Sequence, residues 1–303
     1  MGTPDFAVPG LQALINDPRF KIAAVITQAD KPVGRQQELL PTPVKKVALE
    51  NNLEVWQPKR LKNIADKIRA AAPDFIVVIA YGQILSEEVL VIPKIACVNV
   101  HASLLPKYRG AACLQAPILN GDPETGVTVM LMDKGLDTGN ILRQERIELT
   151  DSETLATLHD KLSTLGAKIL GDTLIDYAAG KIKPQLQNNE IASYITTIKK
   201  EDGRIDWLKP AEVIERQNRA FNPWPGTFSL LNGKLIKIIK AKVTPNNDKN
   251  LISGQIFMTE DGLAVRCGQN ALLILELQLE GKKATDFKSF LAGHKEIIGQ
   301  KFE

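Results

Sequence analysis

Short apolar runs alternate with helix-like stretches along the first two thirds of the chain. The runs are rich in β-branched residues, as in strands that are buried on both faces, and they are Ile22–Thr27, Phe75–Tyr81, Ile95–Val100 and Gly126–Met132. Helix-like segments separate or follow them at Pro43–Asn52, Asn63–Ala72, Ala112–Asn120 and Glu153–Tyr177. This alternation predicts an α/β domain with a mostly parallel sheet, whose functional side chains gather at the carboxyl ends of the strands.

The pattern changes after residue 180. Residues 181–200 are polar and predict a linker. Beyond them lie a helix-like segment, Ala211–Phe221, and two β runs, Leu230–Ile236 and Met258–Val265, that contain Asn-Gly or Asp-Gly. Those dipeptides favour hairpin turns because Asn, Asp and Gly tolerate positive φ angles. We therefore predict three regions: a first domain over 1–180, a linker over 181–200 and a small antiparallel, barrel-like β domain over 201–303.

Composition narrows the class of protein. The chain has 303 residues, of which 44% are hydrophobic and 24% are charged, and these values are typical of folded globular domains. The first residues lack the basic and apolar regions of a secretory signal, and the apolar runs are too short to span a bilayer. We therefore expect a soluble, cytoplasmic protein without membrane association. Residues 199–303 carry 17 Lys and Arg against 13 Asp and Glu, a bias that is compatible with a nucleic-acid partner or with an ordinary solvated surface.

Several common sites are missing from the sequence. Its three cysteines and three histidines show no metal-ligand spacing, so we expect no metal. The chain also contains no G-x-G-x-x-G or G-x-x-x-x-G-K-[ST] motif for nucleotides and no G-x-S-x-G nucleophile elbow. The chemistry therefore has to be sought in other polar residues at strand ends.

Two polar segments follow buried strands and are candidates for a site. Asn99 and His101 are two residues apart at the end of a strand, so their side chains face the same way and can stabilise an oxyanion or move a proton. Asp137 lies between Gly135 and Gly139 after the next strand, where a carboxylate can orient His101 or relay a proton. Purely structural roles stay open here, as a cap for His101 or a turn residue for Asp137.

Six segments together resemble the methionyl-tRNA formyltransferases, a branch of the folate-dependent formyltransferase family. In chain order they are Gly2–Ala7, Ala80–Leu85, Asn99–Pro106, Arg109–Ala112, Gly135–Gly139 and Ala220–Pro225. The N-x-H-x-S-L-L-P and D-T-G elements are shared by the wider family, whereas G-T-P-D-F-A and A-F-N-P-W-P are specific to the tRNA-directed branch. The resemblance implies a Rossmann-like catalytic domain followed by an OB-like β-barrel domain. It also implies transfer of a formyl group from 10-formyltetrahydrofolate to the α-amine of methionine on initiator tRNA.

Roles for individual residues follow from the same resemblance. Asn99, His101 and Asp137 match the catalytic trio. The residues that match the folate site are Ser103, Leu104, Leu105 and Pro106, with Tyr81 and Gly82 at a second apolar wall. Residues 30–43 match a loop that approaches the tRNA acceptor stem, where Lys31 and Arg35 are the candidate tRNA-binding residues. A monomer is expected.

The chain departs from the family pattern in two places. A doubly wound sheet needs a strand before Gly2–Ala7, so we expect that the natural start lies upstream or that the chain was trimmed. In the acceptor-stem loop, Arg35 is followed by uncharged and acidic residues at 36–38, which weakens its electrostatic attraction for tRNA.

Two other functions stay open. The chain could transfer a formyl group to a sugar-nucleotide amine, or it could be a catalytically silent RNA- or folate-binding protein.

Overall fold

The computed structural model describes residues 1–33 and 38–303, and its contacts divide the chain into two compact units. The first unit comprises residues 1–114, 124–148 and 158–196, and the second comprises 115–123, 149–157 and 197–303. Residues 181–196, which were predicted to belong to a linker, are thus grouped with the first unit. The division at 180 and 200 stays a prediction.

The strands and helices follow the predicted alternation. The strands are, in chain order, β1 (Val25–Ile26), β2 (Lys31–Val33), β3 (Glu38–Leu40), β4 (Val55–Trp56), β5 (Phe75–Val78), β6 (Ala96–His101), β7 (Arg109–Gly110), β8 (Glu124–Leu131), β9 (Ile141–Glu148), β10 (Tyr194–Ile195), β11 (Thr227–Leu231), β12 (Lys234–Thr244), β13 (Ile256–Thr259), β14 (Gly262–Arg266), β15 (Ala271–Leu279) and β16 (Thr285–Asp286). The α-helices are α1 (Val8–Asn16), α2 (Pro43–Glu50), α3 (Ala65–Ala71), α4 (Glu87–Leu90), α5 (Gln115–Asn120), α6 (Leu155–Ala178), α7 (Ala211–Phe221) and α8 (Phe287–Gly293).

Parallel pairing runs through the centre of the first unit, as expected for a Rossmann-like α/β fold. Strand β1 pairs in parallel with β4, and β5 pairs in parallel with β6. Strands β8 and β9 extend the sheet beyond β6 in the antiparallel sense, giving the order β5-β6-β8-β9. A continuous apolar run does not reveal its direction, because a strand buried on both faces has the same composition in either pairing.

The first two residues lie between β1 and β5. The Gly2 N–H donates to Ile26 O at 3.0 Å, and the Ile79 N–H donates to Met1 O at 2.9 Å. These two residues thus occupy the position where the sequence analysis expected a strand to end. Beside them, a cavity of about 540 Å³ lies between residues 20–26 and 71–77.

The second unit is built on a mostly antiparallel sheet. Its strands follow the order β11-β12-β15-β14-β13, and β16 pairs with β15. The predicted Asn232-Gly233 hairpin joins β11 to β12, with φ angles of +51° and +73° that suit a tight turn. Within the described residues, no pairing joins β11 to β13, so the sheet is not a closed barrel and the predicted OB-like barrel is not confirmed.

Three further findings bear on the class of protein. Within the described ranges, no helix combines the length and apolar character needed to cross a bilayer. The same residues contain no group of three or more His, Cys, Asp or Glu side chains able to hold a metal ion. All three cysteines are free and buried, and burial raises the pKa of Cys97 and of Cys267 to about 12, so these two thiols stay protonated at neutral pH.

Candidate active site

The end of strand β6 carries the first two candidate residues. Asn99 and His101 are paired with Met130 and Thr128 of β8, and only 9% and 6% of their surfaces are exposed. Their spacing of two residues places both side chains on one face of the sheet. The Asn99 side-chain amide makes no hydrogen bond to any residue that the structure describes, so a largely buried donor and acceptor is available to a ligand.

His101 lies among polar neighbours that favour its charged form. Its Nε2 lies 2.9 Å from Tyr108 O, which accepts a hydrogen bond from it when this nitrogen carries the proton. Burial by itself would lower the pKa of His101, because burial disfavours the imidazolium. The neighbouring Cys113 sulfur, Asp137 carboxylate and Tyr108 carbonyl outweigh burial and raise this pKa to about 9. His101 is therefore a cation at neutral pH.

Asp137 reaches the same place from the loop between β8 and β9. Its Oδ2 lies 3.7 Å from His101 Nδ1, an ion-pair distance that is too long for a direct hydrogen bond. Oδ2 instead accepts the Gly110 N–H at 2.8 Å, while Oδ1 has no hydrogen-bond partner among the described residues. The structure thus brings the three candidate catalytic residues together, and it leaves one carboxylate oxygen available for proton transfer.

A buried arginine adjoins this cluster, and sequence reasoning missed its surroundings. Only 2% of Arg109 is exposed. Its guanidinium donates to Gln187 Oε1 at 2.8 and 3.0 Å, to Asn189 Oδ1 at 2.8 Å and to Tyr194 Oη at 2.8 Å. All three partners come from the segment predicted as a linker, so polarity alone concealed a structured segment that holds this arginine. Arg109 lay in a quoted motif, but no sequence signal pointed to Gln187.

The segment predicted to line the folate site is held rigidly after β6. Ser103 is fully buried and donates its hydroxyl to Lys107 O at 2.6 Å. Thr128 Oγ1 donates to Ser103 O at 2.6 Å and accepts the Leu105 N–H at 3.1 Å. Leu105 is buried, whereas Leu104 and Pro106 are partly exposed. Because their own polar groups are already engaged, these residues offer shape and apolar surface rather than free side-chain donors.

The second predicted wall divides into a buried and an exposed part. Tyr81 is 1% exposed and packs in a hydrophobic cluster with Ile26 and Trp56, and its hydroxyl has no hydrogen-bond partner among the described residues. Gly82 is exposed and has a φ of +82°. The neighbouring Ile84 is 92% exposed, which leaves an apolar side chain available to a flat ligand. The folate-binding assignments of Tyr81 and Gly82 stay predictions.

The proposed acceptor-stem loop consists in part of a β-hairpin. Lys31 is exposed and lies on strand β2, which pairs antiparallel with β3. Arg35, the other candidate for tRNA contact, lies outside the described residues. At the base of the hairpin, Asp30 pairs with Lys45 at 2.5 Å and accepts from Gln57 at 2.7 Å, which ties the segment to the first unit.

Comparisons with known proteins cover both units. Two family models match the chain: Formyl transferase over residues 1–174, and Formyl transferase, C-terminal domain, over residues 197–295. The methionyl-tRNA formyltransferase of Pelobacter propionicus is 48% identical over 296 residues, which are 97% of this chain and 92% of that protein. The methionyl-tRNA formyltransferase of Caldanaerobacter subterraneus subsp. tengcongensis is 46% identical over 297 residues, 97% of this chain and 96% of that protein.

Solved structures show the same fold at lower identity. The sugar 3N-formyl transferase WlaRD, solved with dTDP and 5-N-formyl-THF, has a TM-score of 0.66 and 25% identity, and the match covers 93% of this chain and 97% of that one. HypX from Aquifex aeolicus, solved with tetrahydrofolic acid, has a TM-score of 0.58 and 16% identity over 80% of this chain and 43% of that one. The likeness to HypX concerns the fold alone.

Proposed function

The chain belongs to the formyl transferase family, and from this premise we propose that it transfers a formyl group from 10-formyltetrahydrofolate to the α-amine of methionine on initiator tRNA. The observation that carries this proposal is the similarity to methionyl-tRNA formyltransferases, which extends over 97% of the chain and includes both units. The product, N-formylmethionyl-tRNA, serves translation initiation, so the cytoplasm is the proposed location and a monomer the proposed state.

A sugar-nucleotide amine is the alternative acceptor. The likeness to WlaRD favours it, because that protein is named a sugar formyl transferase and matches 93% of this chain. Its identity of 25% is, however, far below the 46–48% found with the tRNA-directed relatives. The tRNA acceptor therefore has the stronger support.

The first chemical step needs donors for a developing oxyanion. The α-amine attacks the formyl carbon, a C–N bond forms, and the formyl oxygen becomes negatively charged. The unpartnered Asn99 amide can donate to this oxygen, and the His101 ring, whose Nε2 is engaged with Tyr108 O, adds its positive charge on the same buried face, where such interactions are strongest. Loss of one such donor typically costs about 10²–10³ in kcat.

The second step needs a group that handles a proton. The attacking nitrogen sheds a proton as the intermediate collapses, and N10 of the folate gains one as its bond to the formyl carbon breaks. Asp137 Oδ1 is unengaged and 15% of the Asp137 side chain is exposed, so the carboxylate can accept that proton directly or through water. The Asp137 charge also favours the imidazolium form of His101.

The folate needs an apolar slot and free polar groups beside the reacting carbon. The rigid segment Ser103–Pro106 and the exposed Ile84 offer the apolar surface. The Asn99 amide offers the free polar groups. These residues fit a flat, partly apolar ligand.

The second unit offers a basic surface for tRNA. After a bulge in β12, Lys240 and Lys242 join Lys237 on the side of the sheet away from the core; Lys240 is paired in register with Glu276 of β15, and none of the three lysines forms an ion pair with a described residue. Phosphate contacts from such lysines provide affinity without sequence discrimination. We propose that this sheet binds tRNA as the sheet of an OB fold binds nucleic acid. Lys31 and Arg35 are further proposed tRNA contacts.

Incubation with 10-formyltetrahydrofolate and charged initiator tRNA tests the function directly. We expect N-formylmethionyl-tRNA to accumulate, and we expect no formylation of sugar-nucleotide amines at the same enzyme concentration. Formylation of a sugar amine without formylation of tRNA would reverse the order of the two acceptors. Turnover of neither, with retained folate or tRNA binding, would favour the silent binding protein.

A further inference from the structure

We propose that Gln187 is a positioning residue that fixes the loop carrying Asp137 in its reactive conformation. This inference rests on the proposed function, because the position of Asp137 matters only if its carboxylate takes part in formyl transfer. Gln187 belongs to no sequence motif and contacts none of the trio's reactive groups. Gln187 is 8% exposed and lies on the segment between α6 and β10, distant in the chain from the residues that it contacts.

The Gln187 amide joins two parts of the site. Its Nε2 donates to Asp137 O at 2.8 Å and to Gly139 O at 2.7 Å, so both hydrogens of the amide are used on one loop. Its Oε1 accepts two hydrogen bonds from the buried Arg109 guanidinium, at 2.8 and 3.0 Å. All four hydrogen-bonding positions of this side chain, two donors and two acceptor sites, are thus occupied by fixed partners, and the amide cannot rotate without breaking several bonds.

The loop needs such a restraint because Asp137 has an unfavourable backbone conformation. Its φ is +54°, in the left-handed region that non-glycine residues seldom occupy. Such conformations persist when the surrounding structure determines them, and they concentrate at functional sites. Gly139 lets the loop pass close to the backbone of Leu131, since a Cβ at this position would lie 1.8 Å from Leu131 O. The two bonds from Gln187 hold the loop on either side of Thr138.

The arginine side of the network has a second connection to Asp137. Arg109 is followed by Gly110, whose N–H donates to Asp137 Oδ2 at 2.8 Å. Asp137 is therefore held at its carbonyl by Gln187 and at its carboxylate by the neighbour of Arg109, and Gln187 connects the two restraints. A displacement of the carboxylate by about 1 Å is enough to cost on the order of 10²-fold in rate.

Gln187→Glu separates positioning from structural support. The carboxylate keeps an acceptor for Arg109, so the buried cation stays paired, but it loses both donors to the loop carbonyls. We expect kcat for formyl transfer to fall by about 10²-fold, with KM for folate and tRNA within about twofold of wild type. In Gln187→Asn, which adds no charge, we also expect the alkaline limb of the kcat profile to move to lower pH, because the Asp137 carboxylate no longer lies beside His101.

Asn189→Ala is the matched control. It removes one acceptor from the same guanidinium, at 2.8 Å, and Asn189 makes no hydrogen bond to the Asp137 loop within the described residues. We expect a comparable or larger loss of thermal stability than in Gln187→Glu, with kcat and its pH profile unchanged. A Gln187→Asn variant, one methylene shorter, serves if the Glu variant fails to fold, and we expect it to lower kcat without raising KM.

The outcomes distinguish this inference from the proposed function. If wild-type protein formylates charged tRNA and a folded Gln187→Glu or Gln187→Asn variant retains kcat within twofold, the positioning role is wrong and the function stands. The positioning role is also wrong if Asn189→Ala lowers kcat as much as Gln187→Glu does. If wild-type protein forms no formylated tRNA at all, the proposed function fails before the variants are compared.

Discussion

Titration of His101 should show a pKa of about 9, against an ordinary value of 6.5. A difference of this size corresponds to a preference of roughly 3 kcal/mol for the imidazolium in the folded protein. Because the folded pKa lies above the unfolded one, His101 stabilises the fold fully below about pH 6.5, and this contribution is lost as the pH rises through about 9. The physical cause is the ring's polar neighbours, which outweigh its burial.

The measurement is direct because the chain has three histidines, so the imidazole signals in an NMR titration are few. Loss of one signal in His101→Gln assigns the resonance of His101. Asp137→Asn should then lower the measured pKa, since it removes one of the groups that favour the cation. A midpoint at or below 6.5 in wild-type protein would refute the reasoning, because His101 would be neutral at physiological pH.

The same protonation state has a kinetic consequence. We expect kcat/KM for charged tRNA to fall above about pH 9 as the ring loses its cationic donor. His101→Gln should lower kcat by about 10²–10³ and should lack that limb. An alkaline limb that survives in His101→Gln would have to be assigned to another group.

The remaining predictions concern the carboxylate, the basic surface and a glycine. Asp137→Asn should lower the single-turnover rate constant by about 10²-fold or more, with folate affinity unchanged. A change confined to thermal stability would show that Asp137 acts only as a turn residue. Replacing Lys237, Lys240 and Lys242 by Gln should weaken tRNA binding and lower the salt slope by up to about three, compared with an equal number of exposed lysines replaced in the first unit; an unchanged slope would contradict the assigned surface. Gly110→Ala should lower the free energy of unfolding, measured in urea, by about 3 kcal/mol or more. The reason is that Gly110 has a φ of +108° and that a Cβ there would lie 2.3 Å from a carbonyl oxygen of β10. A loss below about 0.5 kcal/mol would contradict this prediction.

Local patterns in the sequence were enough to predict much of the fold and to select Asn99, His101 and Asp137 as candidates. The helix over Ala211–Phe221 has the predicted bounds, and the strand ending at His101 differs from its prediction by one residue at each end. Asn99 and His101 share a face because strand geometry fixes the direction of alternate side chains. These features depend on neighbours in the chain, which a sequence pattern records.

Long-range features were out of reach for the opposite reason. The antiparallel direction of β8 depends on where the chain re-enters the sheet, and nothing in an apolar run reports that. The predicted contact between Asp137 and His101 is present only at 3.7 Å, because Oδ2 is bound to the Gly110 N–H. Gln187 lies in a polar segment whose composition is the same for a linker and for a structured arm. Pairing partners, and not residue types, decide each of these cases.

The charges of the site are arranged for the reaction before any substrate binds. Two buried cations, His101 and Arg109, lie in or beside this site: the acceptors around Arg109 are neutral amide and hydroxyl groups, whereas the Cys113 sulfur, the Asp137 carboxylate and the Tyr108 carbonyl favour the charged form of His101. Burial by itself weighs against the imidazolium, but these neighbours outweigh it, so His101 stays a charged group at neutral pH. The formyl oxygen becomes negative only as the amine attacks, so a positive charge fixed beside it stabilises the transition state more than the ground state. Asp137 is one of the groups that sustain the charge of His101, and this is why its distance from His101 matters and why the loop that carries it has to be held.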